Sequence, residues 1–177
     1  AAPELNVPCY DMALCAVNNT AIYKFGGCLR NGKISNKVEM FSLEDNHWFM
    51  INYSYDDSKF NFFALSGAVQ LNENQIIVFG GRDEKEMEQQ SFCYFQTNDD
   101  GTNENEETRY HFSEVSQGAL PWAGSFANSQ TFYRKGRLFC LSKAQEPESP
   151  TFEEKVEQQG SYKVVLFEHG TWKVPII

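Results

Sequence analysis

The chain has 177 residues, of which 41% are hydrophobic and 15% aromatic, enough to bury one substantial core. Its 24 acidic residues against 15 basic ones leave a formal charge of -9, and no Lys/Arg cluster reverses the sign locally. Such a surface repels phosphate backbones, and no stretch reaches the roughly eighteen apolar residues of a membrane-spanning helix, so the expected partners include neither nucleic acid nor membrane. The start at Ala1-Ala2-Pro3, without an initiator Met or an apolar leader, reads as an excised piece of something longer.

The first strands come as a hairpin, Met12 to Val17 and Ala21 to Phe25, joined by the polar turn Asn18-Asn19-Thr20 and closed by Gly26-Gly27. A polar loop follows, then a β-rich run from Val38 to Leu43 and a short strand around Trp48. The pattern recurs with Ala64 to Gln70, the turn Asn72-Glu73-Asn74, and Gln75 to Phe79 ending in Gly80-Gly81, 54 residues after the first doublet. Its later strands are Ser91 to Gln96 and Tyr110 to Val115. A third copy runs from Phe126 to Tyr133, turns at Lys135-Gly136, and continues as Arg137 to Lys143 with Ser142 and Lys143 where the glycines stood. Tyr162 to Glu168 and a strand around Trp172 complete it. The acidic tract Asp83 to Gln90 and the segment Thr151 to Gln159 each read as a turn of helix lying in a loop.

Four strands per unit, here named a to d, repeated every fifty or so residues, are the mark of propeller blades. The Gly-Gly doublet after strand b, followed by an aromatic and a Trp with six residues between them, resembles the kelch repeat. Unit one has Gly26, Gly27, Phe41 and Trp48 in that spacing. Unit two keeps Gly80 and Gly81 with Phe112 in place of the Trp; unit three keeps Trp172 with Val165 at the aromatic position. The expected fold is therefore an all-β kelch-type β-propeller with four-stranded antiparallel blades, three of them here, over about 9–51, 62–116 and 125–175. Open blades leave apolar faces, so a larger ring of six or seven blades is expected, with the pairing of two copies as the other way to close it.

The resemblance assigns structural roles to Gly26, Gly27, Gly80, Gly81, Trp48 and Trp172. It implies that the b–c and d–a loops share the face on which protein partners dock. Those loops are Cys28 to Lys37, Arg82 to Gln90 and Lys143 to Ser161, with Asn52 to Asn61 and Ser116 to Gly124. The opposite face carries the polar segment Thr97 to Thr108. On the docking face Arg30, Lys33 and Arg82 are expected to form a positive spot suited to a carboxylate-bearing peptide, with Trp122 as an aromatic anchor and Tyr53 and Tyr55 as lesser candidates. The competing reading of these residues is solvated loop charge and local packing.

No catalytic constellation, cofactor motif or metal set is read here. His47, His111 and His169 all fall at or near strand d, away from a central channel, and a copper site needs converging ligands. Cys9, Cys15, Cys28, Cys93 and Cys140 form no C-x-x-C pair and read as reduced thiols of a cytoplasmic protein; sequons at Asn18 and Asn52 are too common by chance to change that. The expected function is non-catalytic docking of a protein partner, as a scaffold or subunit of a cytoskeletal-type assembly. The alternatives are the substrate-recognition propeller of a ubiquitin ligase adaptor and, at greater distance, a copper-oxidase-type enzyme.

Overall fold

The computed structural model describes residues 3–55, 61–97, 109–114, 120, 130–134, 137–143, 162–168 and 171–173. The first sheet is the meander β1 (Ala13–Val17), β2 (Ala21–Phe25), β3 (Val38–Ser42) and β4 (His47–Ile51), each strand antiparallel to the next. The alternation expected of half-buried strands is visible in β1, where Ala13, Cys15 and Val17 are buried while Leu14 and Ala16 are exposed. The second sheet holds β6 (Gly67–Asn72), β7 (Gln75–Phe79), β8 (Phe92–Thr97) and β9 (Tyr110–Glu114). The third holds β10 (Gln130–Arg134), β11 (Arg137–Lys143), β12 (Tyr162–Glu168) and β13 (Thr171–Lys173). The first strands of the three sheets are neighbours, β1 beside β6 and β6 beside β10. That is the arrangement of propeller blades around an axis.

Two apolar layers hold the blades together. Between blades one and two lie Ala13, Cys15, Tyr23, Phe25 and Val38 on one side, with Ile76, Val78, Cys93, Phe95 and Phe112 on the other. Phe95 is fully buried at its centre, its ring 5.2 Å from Phe25, 5.6 Å from Tyr23 and 4.7 Å from Phe112. The other face of blade two supplies Ile77, Phe79 and Phe92, which pack with Leu120, Leu138 and Cys140. Successive residues of β7 thus serve opposite layers, as a strand buried on both faces requires.

Four features depart from the sequence expectation. The d–a loop over 52–61 contains a short strand, β5 (Ser54–Tyr55), which pairs in parallel with β9 and makes blade two five-stranded. Ser54 anchors it there, its hydroxyl 2.9 Å from His111 Nδ1. The tract 83–90 forms no helix: Asp83 Oδ1 accepts the amides of Lys85 and Met87, and Arg82 bridges to Glu88 as in a strand. That carboxylate offers the backbone a local turn in place of a helical ladder. In blade three the partner of Trp172 across the strands is Phe167, not Val165, because only two residues separate β12 from β13. Finally, with Ser142 and Lys143 replacing the glycines, β11 runs on through both and pairs with Lys163 and Tyr162. The segment expected as helical over 151–159 and most of the 97–108 loop lie outside the described residues; Thr97 itself ends β8.

Candidate functional site: the face of the b–c and d–a loops

The loops on this face are built on the glycine doublets. Gly26 and Gly81 have φ of +60° and +106°, and a Cβ on either would come within 2.6 Å of a carbonyl oxygen, that of Phe63 or of Ala64. Only glycine meets both conditions, so the chain can leave strand b and still pass close to the neighbouring segment.

The loops after the two doublets share one backbone structure. Cys28 pairs with Tyr10 and Ile34; Arg82, 54 residues on, pairs with Ala64 and Glu88. The amide of Leu29 reaches Lys33 O at 2.8 Å, and that of Asp83 reaches Met87 O at 3.1 Å. Ser35 N bonds Gly27 O at 2.8 Å, and Gln89 N bonds Gly81 O at 2.9 Å. Positive φ falls at Gly32 in one loop and at Glu86, its equivalent, in the other. The repeat therefore persists through loops whose side chains show no repetition, a feature hidden from the sequence because backbone hydrogen bonds, not residue identity, carry it.

The loops are tied to their neighbours. Ile34 N donates to Glu84 Oε1 at 3.3 Å, joining the loops of blades one and two. Tyr53 donates its hydroxyl to Asn36 O, and Tyr55 donates to Tyr53 at 3.0 Å. Burial first, then the Tyr55 hydrogen bond, pushes the Tyr53 phenol well above its usual range, so it remains a donor throughout the physiological range. These two tyrosines stack around Phe112 and Phe62 and act as loop supports. Between the loops opens a cleft of about 470 Å³, with Phe62 and Phe63 at its base, Ser35 and Asn36 on one side and Asp83, Glu84 and Lys85 on the other.

The residues singled out from the sequence occupy this face unequally. Arg30 and Lys33 are exposed at the tip of the first loop. Arg82 lies at the base of the second, its guanidinium 3.3 Å from Glu88 and its Nε buried with no hydrogen-bond partner among the described residues. Its charge is thus largely met within its own loop. Trp122 lies outside the described residues, as does most of its loop. Gly26, Gly27, Gly80 and Gly81 are all buried with positive φ. Trp48 packs on Phe41 at 5.3 Å on the side of blade one away from blade two; the blade-two counterparts Phe95 and Phe112 sit between the blades. For Trp172 only the backbone is described.

Among the described residues no group of three or more His, Cys, Asp or Glu is placed to hold a metal, and no helix is long and apolar enough to cross a membrane. Among the described residues no two cysteines form a disulfide.

Residues 8–52 match the family model of the Kelch motif, which covers the first blade and its doublet. The fold is a kelch-type propeller. The structure of YjhT is similar to this chain with a TM-score of 0.65 at 11% identity, over 98% of this chain and 57% of that one, so the chain spans little more than half of that propeller-like structure. At that identity the likeness is one of fold. No curated protein matches the sequence.

Proposed function

We propose that this kelch-type chain is a non-catalytic docking module that holds a protein partner on its b–c and d–a loops, as a scaffold or assembly subunit. One observation carries the reading: two loops of identical backbone, braced against each other and against buried aromatics, hold unlike exposed tips beside a cleft. Preorganised loops lose little conformational entropy on binding, which favours recognition by another protein. The Kelch motif at residues 8–52 favours the same reading by fold-level analogy. Arg30, Lys33 and Arg82 with Trp122 are the proposed contacts, Arg82 through the part of its side chain left exposed beside Glu88. An odd number of cysteines without a C-x-x-C pair favours a reducing compartment such as the cytoplasm, and the charge of -9 argues against a nucleic-acid partner.

The test is site-specific photo-crosslinking from the full-length protein in its native cells. Probes at Arg30, Asn31 and Lys85 are expected to capture the same protein, while probes at Asn19 and Glu73 on the opposite face are not. Capture only from the opposite face, or purification of a solitary protein with a bound redox metal, defeats the reading.

A further inference from the structure

The two equivalent loops carry opposite charge. From Gly26 to Val38 the chain has Arg30, Lys33 and Lys37 and no acidic residue, and all three cations are exposed. From Gly80 to Ser91 it has Asp83, Glu84, Glu86 and Glu88 against Arg82 and Lys85. Glu88 and Arg82 pair at 3.3 Å and offset each other's charge, so the tip of the second loop, Asp83 to Glu86, is acidic and carries Lys85 as its one cation. The 54-residue equivalence places Arg30 where the second loop has Glu84, and Lys33 where it has Met87, which is 61% exposed. Positive and negative tips thus sit on equivalent backbone positions of two loops joined by the Ile34 to Glu84 bond, the first loop lining the cleft through Ile34, Ser35 and Asn36 and the second through Asp83, Glu84 and Lys85.

A segment of uniform charge crossing this face gains at one loop what it loses at the other, since like charges brought together cost as much as opposite ones gain. We infer that the partner's docking segment is dipolar, with acidic residues over the first loop and basic residues over the second, so that it can cross the cleft in one direction only. The inference rests on the docking reading above and names the chemistry and polarity of the partner. Each exposed pair is weak alone, and the direction comes from several acting together.

The probe is a synthetic peptide with a glutamate block and a lysine block joined by a glycine spacer, compared with all-glutamate and all-lysine peptides of equal length. Titration of the isotope-labelled protein at low salt is expected to show the block peptide binding roughly threefold to tenfold more tightly than either uniform peptide. A nitroxide on its lysine end is expected to broaden amides in 83–88, and one on its glutamate end amides in 29–33. Arg30→Glu with Lys33→Glu, both at exposed positions, is expected to remove the preference and favour the all-lysine peptide. Equal affinity for the three peptides, or broadening with no sidedness, overturns the inference; the docking reading then still stands if crosslinking maps a partner to these loops. Crosslinks confined to the opposite face defeat both.

Discussion

Lys24 and Glu39 face each other across β2 and β3 with both side chains fully buried, their charged atoms 3.4 Å apart. The ammonium reaches one further acceptor, Lys37 O at 3.5 Å, while the carboxylate accepts the amides of Asn6 at 2.7 Å and Val7 at 3.2 Å. The same register positions in blade two are Val78 and Cys93, also paired and also buried. Glu39→Ala leaves a buried ammonium with one weak acceptor, and two backbone donors unmet, which should cost about 3–5 kcal/mol. Replacing both residues by their blade-two counterparts, Lys24→Val with Glu39→Cys, removes the charges together. The bonds to Asn6 and Val7, about 1 kcal/mol each at most because that segment is partly open to water, are then lost together with the long one to Lys37 O. The double variant should therefore be more stable than Glu39→Ala by about 1–3 kcal/mol. Urea unfolding followed by circular dichroism and by tryptophan fluorescence, to which Trp48 with its carbonyl accepting from Asn6 Nδ2 contributes, measures it. A double variant less stable than Glu39→Ala, or a cost below about 1 kcal/mol for Glu39→Ala, refutes the reasoning.

Gly81→Ala should destabilise by about 3 kcal/mol or more, since left-handed strain adds to a clash with Ala64 O, whereas Gly32→Ala, at φ +80° in open space, should cost only the strain of about 1–2 kcal/mol; equal melting temperatures for the two would contradict this. Phe95→Ala opens the layer between blades one and two and should cost about 3–5 kcal/mol in the same unfolding assay, with a loss under about 1 kcal/mol counting against that layer as the main adhesive. Burial pushes the Cys15 thiol from 9.0 up to about 12. Above pH 9.0 the unfolded chain releases this proton and the folded one retains it, so stability should fall between pH 9.0 and about 12 by roughly 1.4 kcal/mol per unit from this residue. Unfolding of Cys15→Ala across that range should show a shallower decline, and an unchanged slope would remove the thiol from the account.

The blades were legible because two signals coincided: alternating apolar strands and glycine doublets at a fixed interval. Phe112 was legible as the stand-in for a Trp, and its register opposite Phe95 repeats that of Trp48 opposite Phe41. The register of Trp172 was not, since counting back seven residues assumes a constant turn between strands c and d, and blade three shortens it. The strand at Ser54–Tyr55 has no period of its own to detect; it exists because His111 and Tyr110 on the edge of blade two receive Ser54. Arg30 and Lys33 were readable as loop cations by composition. The pairing of Arg82 with Glu88 was not, because two residues six apart in sequence face each other only after Arg82 and Glu88 form their bridge.

The Lys24–Glu39 pair and the loop tips follow one rule of this repeat: backbone geometry is kept and side chains are exchanged. In blade two the central pair of the interblade face is Val78 and Cys93, and it packs against blade one. In blade one the pair is ionic, and its carboxylate is saturated by the passing segment at Asn6 and Val7 rather than by an apolar face. A buried charge tolerates only a cover that can donate hydrogen bonds, so the substitution selects what can lie over that blade. The loop tips make the same exchange outward, Arg30 against Glu84, where solvent tolerates either sign and only a partner can discriminate. Under the docking proposal, the positions where equivalent residues differ in charge are therefore the ones to reverse first.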